Sequence, residues 1–174
     1  MFTFRSCAQA CVLGLWLTTG AASAQPVQFV AVDIVDAQPG VDLWRYDYVS
    51  SGALGEFEGF TLLFDRNAYA GLSLVAPPPA GAFDAAVAQP NIGLSVDGLL
   101  SLTAQRSIGA GEAFSFSVRF ARLGTGTPGS QPFERYADDL HITGSGVTSA
   151  VPEPATIALL LAGLVAVGLR VRRE

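Results

Sequence analysis

Carboxylates are the most numerous groups in this chain that could do chemistry, and thirteen of them lie within residues 25–150. Glu56 and Glu58 alternate onto one face of a predicted strand, and Glu112 and Glu134 are also available. Two such groups facing across a cleft can hydrolyse a glycoside, one as acid and the other as base or nucleophile. Their spacing here defines no cleft, and so many acids form accidental pairs. Asp33, Asp36 and Asp42 cluster around a turn, and Asp138 and Asp139 are adjacent. Calcium takes roughly six to eight oxygen ligands in an organised loop, and neither cluster has EF-hand or RTX spacing. A structural calcium ion is the one cofactor these acids leave open; solvated loop acids are the simpler reading.

His141 is the only histidine, and no Gly-x-Ser-x-Gly elbow supplies it with a serine. A single histidine cannot build a histidine-rich zinc site. Cys7 and Cys11 both fall in a segment with the features of a removed leader, so the mature chain is expected to lack thiols and disulfides. No catalytic residue and no metal ligand is assigned, and the chain is not read as an enzyme. Trp44, Tyr46 and Tyr48 share one face of a strand. Such a face can stack on sugar rings as a ligand platform, or it can be the inward stripe of a sandwich. The charges of Arg45 and Asp47 fall on the opposite face, which favours the core.

The elements that would position these residues are strands. Phe114, Phe116, Val118 and Phe120 alternate with Ser115, Ser117, Arg119 and Ala121, giving one apolar and one wet face. Ile92, Leu94 and Val96 alternate likewise, as do Leu100, Leu102 and Ala104, and Asp97-Gly98 between them predicts a type I′ hairpin. Further strands are predicted at 27–35, 43–49, 56–64 and 138–143, with a shorter one at 71–75. Turn residues separate them, and no helical period is sustained. Seven or eight short strands predict an all-β fold, an antiparallel β-sandwich of Ig-like or jelly-roll type. This middle segment carries six arginines against thirteen acids, a net of −7. That charge argues against nucleic acid or an anionic membrane surface as partner.

The two ends read as addresses. Residues 1–24 have the parts of a signal peptide: Arg5, an apolar run over 8–17, and small residues Ala22-Ser23-Ala24 before an expected cleavage that leaves Gln25 first. Residues 155–169 are uncharged and are followed by Arg170, Arg172 and Arg173. As a helix this stretch would measure about 22 Å against a hydrocarbon core of about 30 Å. Snorkelling of Arg170 and local thinning can close that gap. The arginines put the C-terminus in the cytoplasm, so residues 25–150 would face the periplasm from the inner membrane. Before the span stands Val151-Pro152-Glu153-Pro154, in which Pro154 and Glu153 suit a helix start.

Taken together, residues 151–174 resemble the PEP-CTERM sorting signal: the Val151-Pro152-Glu153-Pro154 box, an apolar helix containing Leu161-Ala162-Gly163-Leu164, and terminal Arg172-Arg173. Only the last residue, Glu174, departs from the usual basic ending. The resemblance implies recognition by an exosortase, processing near Pro152, Glu153 and Pro154, and delivery to the cell surface or the extracellular polysaccharide matrix. Those residues would be acted upon and would not catalyse. Leu43-Trp44-Arg45-Tyr46-Asp47-Tyr48 and Pro128-Gly129-Ser130-Gln131-Pro132-Phe133-Glu134 also resemble segments of other small PEP-CTERM proteins, without implying an activity. The expected protein is therefore a signal-peptide-bearing, exosortase-processed surface or matrix protein with a structural or binding role in polysaccharide or biofilm. A carbohydrate-binding module and a small secreted hydrolase are the alternatives.

Overall fold

A computed structural model of the protein describes residues 27–36 and 39–151. The cleavage-site residues Ala22, Ala24 and Gln25, the Pro152-Glu153-Pro154 box, the apolar stretch 155–169, and Arg170, Arg172 and Arg173 lie outside the described residues. Among the described residues no helix is long and apolar enough to cross a membrane.

Ten strands occupy the described chain: β1 (Val27–Asp33), β2 (Asp42–Ser51), β3 (Gly59–Phe64), β4 (Tyr69–Ala76), β5 (Phe83–Ala88), β6 (Gly98–Ala104), β7 (Ala113–Arg122), β8 (Pro132–Tyr136), β9 (Ile142–Val147) and β10 (Ser149–Ala150). They form two five-stranded sheets, ordered β10-β1-β2-β7-β4 and β5-β6-β3-β8-β9. The predicted all-β fold is what is observed. The pairing is antiparallel except at one edge, where β10 runs parallel to β1.

Period-2 alternation explains the layering. Phe114, Phe116, Val118 and Phe120 of β7 are buried, as are Phe60, Leu62 and Phe64 of β3 and Leu100 and Leu102 of β6. These residues come from opposite sheets yet belong to one cluster. Phe60 meets Phe116 at 6.2 Å between ring centroids, and Phe64 meets Tyr69 at 5.5 Å edge to face. The apolar faces of the two sheets therefore press together, as the hydrophobic effect requires of sheets with one wet face.

Four local expectations are corrected. The Ile92, Leu94 and Val96 run is not a strand. Asn91 and Val96 exchange backbone hydrogen bonds, the Asn91 Oδ1 accepts from the Leu94 N–H at 3.0 Å, and Ser95 has φ +55°. That closes a turn whose side chains face water, with Leu94 73% exposed. The strand that precedes β6 in the chain and pairs with it is instead β5. Gly98 begins β6 for a different reason from a hairpin φ: a Cβ there would stand 2.6 Å from Leu72 Cδ1 and 2.7 Å from Pro90 Cδ.

Residues 138–143 are mainly the turn between β8 and β9. The Ala137 N–H donates to the His141 carbonyl at 3.0 Å, and Leu140 has φ +68°. The strand expected from Glu56 starts only at Gly59, because Glu56 and Phe57 form a turn with Phe57 at φ +65°. Lastly, β1 ends at Asp33, short of Val35.

Candidate processing site at the sheet edge

The chain leaves the described fold along β10. Ser149 pairs with Gln28 and Ala150 with Phe29, and the Val151 N–H then donates to the Phe29 carbonyl at 2.9 Å. Val151 is exposed. Beside it, Phe29, Val30, Ala31, residues 127–130, Ala150 and Val151 line a groove of about 360 Å³. The strand is short, but the residue before it is firmly held. Thr148 is 2% exposed, and its N–H donates to the Gln131 carbonyl at 2.8 Å. The Gln131 N–H donates in return to Thr148 Oγ1 at 2.8 Å.

Gln131 is the hub of a buried polar network. Its Oε1 accepts from the Tyr48 hydroxyl at 2.9 Å, and its Nε2 stands 2.9 Å from the hydroxyls of both Tyr46 and Tyr69 and also reaches the Gly129 carbonyl. The Tyr46 hydroxyl donates to the same Gly129 carbonyl at 2.6 Å. Burial pushes the Tyr48 phenol well above its ordinary pKa, with Tyr46 and Tyr69 adding to the effect. Burial likewise raises Tyr46, helped by its hydroxyl contact with Tyr69. Both phenols thus stay protonated donors. The two segments singled out in the sequence, 43–48 and 128–134, meet in this network.

Of the two readings of the aromatic stripe, the positions of Tyr46 and Tyr48 fit the inward-facing one. Tyr46 and Tyr48 are fully buried, with Tyr46 edge-on to Phe29 at 4.8 Å and Tyr48 stacked on Phe116 at 4.9 Å. Their face of β2 is the inner face, since Arg45 and Asp47 pair on the outer one at 2.8 Å. Trp44 is partly buried against the same core, and its Nε1 donates to Asp42 Oδ1 at 2.7 Å.

The acids are dispersed. Asp36 accepts from the Leu43 N–H, Asp42 is held by Trp44, and Asp139 pairs with His141 on the exposed β8–β9 turn. The His141 side chain holds the Asp139 carboxyl below its usual range. Glu58 accepts from the Gly55 N–H at 2.7 Å, a local brace of the turn before β3, and Glu56 lies in that turn and not on a strand face. Glu112 is engaged by Arg106, which lowers its pKa. Among the described residues no group of three His, Cys, Asp or Glu side chains converges on a point that could hold a metal ion.

A family model of the PEP-CTERM protein-sorting motif matches residues 150–173. The match starts on the last residue of β10, so the motif follows the fold without a spacer. No curated protein matches the chain. The motif marks an exosortase-sorted protein that is handled at a membrane and then exported to the cell surface.

Proposed function

Since this chain carries a PEP-CTERM sorting motif, we propose that it is a non-enzymatic surface or matrix protein, cut near Pro152–Pro154 and delivered as a small β-sandwich, of Ig-like or jelly-roll type, to extracellular polysaccharide or biofilm. A signal peptide over 1–24 starts export, and a helix over 155–169 holds the precursor in the inner membrane until exosortase acts. The observation that carries this reading is the motif match starting at Ala150, where the last strand ends. The packed sandwich supports a structural or binding part within the matrix. A carbohydrate-binding surface would have to be built around Trp44, because Tyr46 and Tyr48 are enclosed.

The experiment is mass spectrometry of the endogenous C-terminus in wild type and in an exosortase deletion. Loss of the chain beyond the Pro152–Pro154 region only when exosortase is present supports the reading. A tail ending at Glu174 in both strains overturns it and leaves a membrane-anchored periplasmic domain.

A further inference from the structure

We infer that exosortase can cut this protein only after β10 has peeled away from β1, so that a two-residue strand sets the rate at which the domain is released. The inference rests on the sorting reading above. The fold grips the chain up to Val151, through its N–H on Phe29, and just upstream through Thr148, whose backbone and hydroxyl are bound to buried Gln131. Three residues, Pro152, Glu153 and Pro154, then separate Val151 from Ala155, where the uncharged stretch begins. Fully extended, they span about 10 Å.

A protease acts on exposed, extended chain, and it reaches a folded segment through local opening. For a cut within the Pro-Glu-Pro box, the residues on the N-terminal side of the bond are those that β10 and Thr148 hold. On the sorting reading the membrane confines the other side, which leaves β10 as the part of the fold nearest the cut that can open.

Several features make β10 suited to opening. It is two residues long and lies at the edge of its sheet, and its partner β1 keeps a separate seven-residue pairing with β2. Pro152 and Pro154 have no N–H to carry the ladder further. Thr148 and Gln131 are positioning residues: their buried bonds resist peeling beyond Ser149 and fix where the processing segment leaves the fold.

The test follows tail loss by pulse–chase in exosortase-positive cells, using the full chain. The variants are a flexible Gly-Ser linker inserted between Val151 and Pro152, Thr148→Val, and the two combined. The linker alters no folded residue, so its effect does not depend on how well Thr148→Val folds. The expected result is severalfold faster tail loss in the linker chain. Thr148→Val alone should also accelerate it, and should add nothing once the linker is present, a pattern that general destabilisation does not produce. Tail loss at the same rate in linker and wild-type chains overturns the inference and leaves the sorting reading standing. An intact tail in every chain removes the sorting reading and the inference with it.

Discussion

Thr148 and Gln131 hold each other by reciprocal bonds, each donating its backbone N–H at 2.8 Å, one to a carbonyl and the other to a hydroxyl. Both are enclosed, so the hub that orders the tyrosine hydroxyls also fastens the last strand of the domain. Core packing and the position of the sorting motif therefore share one side chain.

Replacing that side chain should be costly. Gln131→Leu keeps the volume but removes the acceptor of the Tyr48 hydroxyl and a donor to Tyr46 and Tyr69. A buried polar group left unsatisfied costs about 1–3 kcal/mol. Tyr46 retains Gly129 as acceptor, so the expected loss is roughly 2–4 kcal/mol, read from urea unfolding of the processed protein. A loss well under about 1 kcal/mol would mean that the network is not a stabilising hub.

Alkaline pH should unfold the domain through the same tyrosines. Burial raises the pKa of Tyr46 and Tyr48 in the folded state, so the native protein binds more protons than the unfolded chain at high pH. Their contribution is complete below the unfolded phenol value of about 10 and declines as pH rises past it, by about 1.4 kcal/mol per pH unit for each phenol. The urea midpoint should begin its fall near pH 10, and more gently in Tyr48→Phe. A midpoint independent of pH up to about 11 would contradict this.

What the sequence made legible was periodicity. The faces of β2, β6 and β7 follow from alternation, and the stripe of Trp44, Tyr46 and Tyr48 was visible as a stripe. Alternation says which residues share a face; it does not say whether that face meets another sheet. β5 is not legible from the sequence because its Ala85, Ala86 and Ala88 give little contrast between faces. β8 opens on a proline and carries Glu134 and Arg135, so it reads as loop. β10 is too short for any period, and its parallel partner lies more than a hundred residues upstream. The role of Gln131 is a product of tertiary structure, since the tyrosines it bonds lie 62 to 85 positions away.

Asp97 is not a turn-forming residue here; its Oδ1 accepts from the Arg66 side chain at 2.9 Å on the surface. Exposed pairs of this kind are worth about 0–1 kcal/mol, and the same oxygen also accepts from the Arg66 N–H at 3.2 Å, so Asp97→Ala should cost about 1 kcal/mol or less and only its ion-pair part should vanish in high salt. Gly98→Ala drives a methyl into Leu72 and Pro90, and overpacking of this sort costs about 1–3 kcal/mol. If the aspartate substitution proved the worse of the two, Gly98 would not be fixed by close packing.

Gly59 is constrained more severely than Gly98, because its neighbour is backbone. It stands in register with Thr103 on one side and Tyr136 on the other. A Cβ there would fall 2.1 Å from the Leu102 carbonyl oxygen and 2.5 Å from the Tyr136 hydroxyl. Tyr136 covers this bare position, with its hydroxyl 2.8 Å from Thr103 Oγ1 and 3.1 Å from the Leu102 carbonyl. An aromatic side chain lying over a strand glycine supplies the packing that the glycine lacks. Gly59→Ala must therefore shift a carbonyl within the β3–β6 pair, and the expected loss is at or above the upper end of about 1–3 kcal/mol. Trimming the tyrosine in Gly59→Ala/Tyr136→Ala should not restore stability, because the carbonyl clash remains. Gly109→Ala, which meets nothing within 4 Å, is the control and should stay within about 0.5 kcal/mol of wild type. Recovery of stability in the double variant would show that the side chain of Tyr136, and not the ladder backbone, is what excludes a methyl group from residue 59.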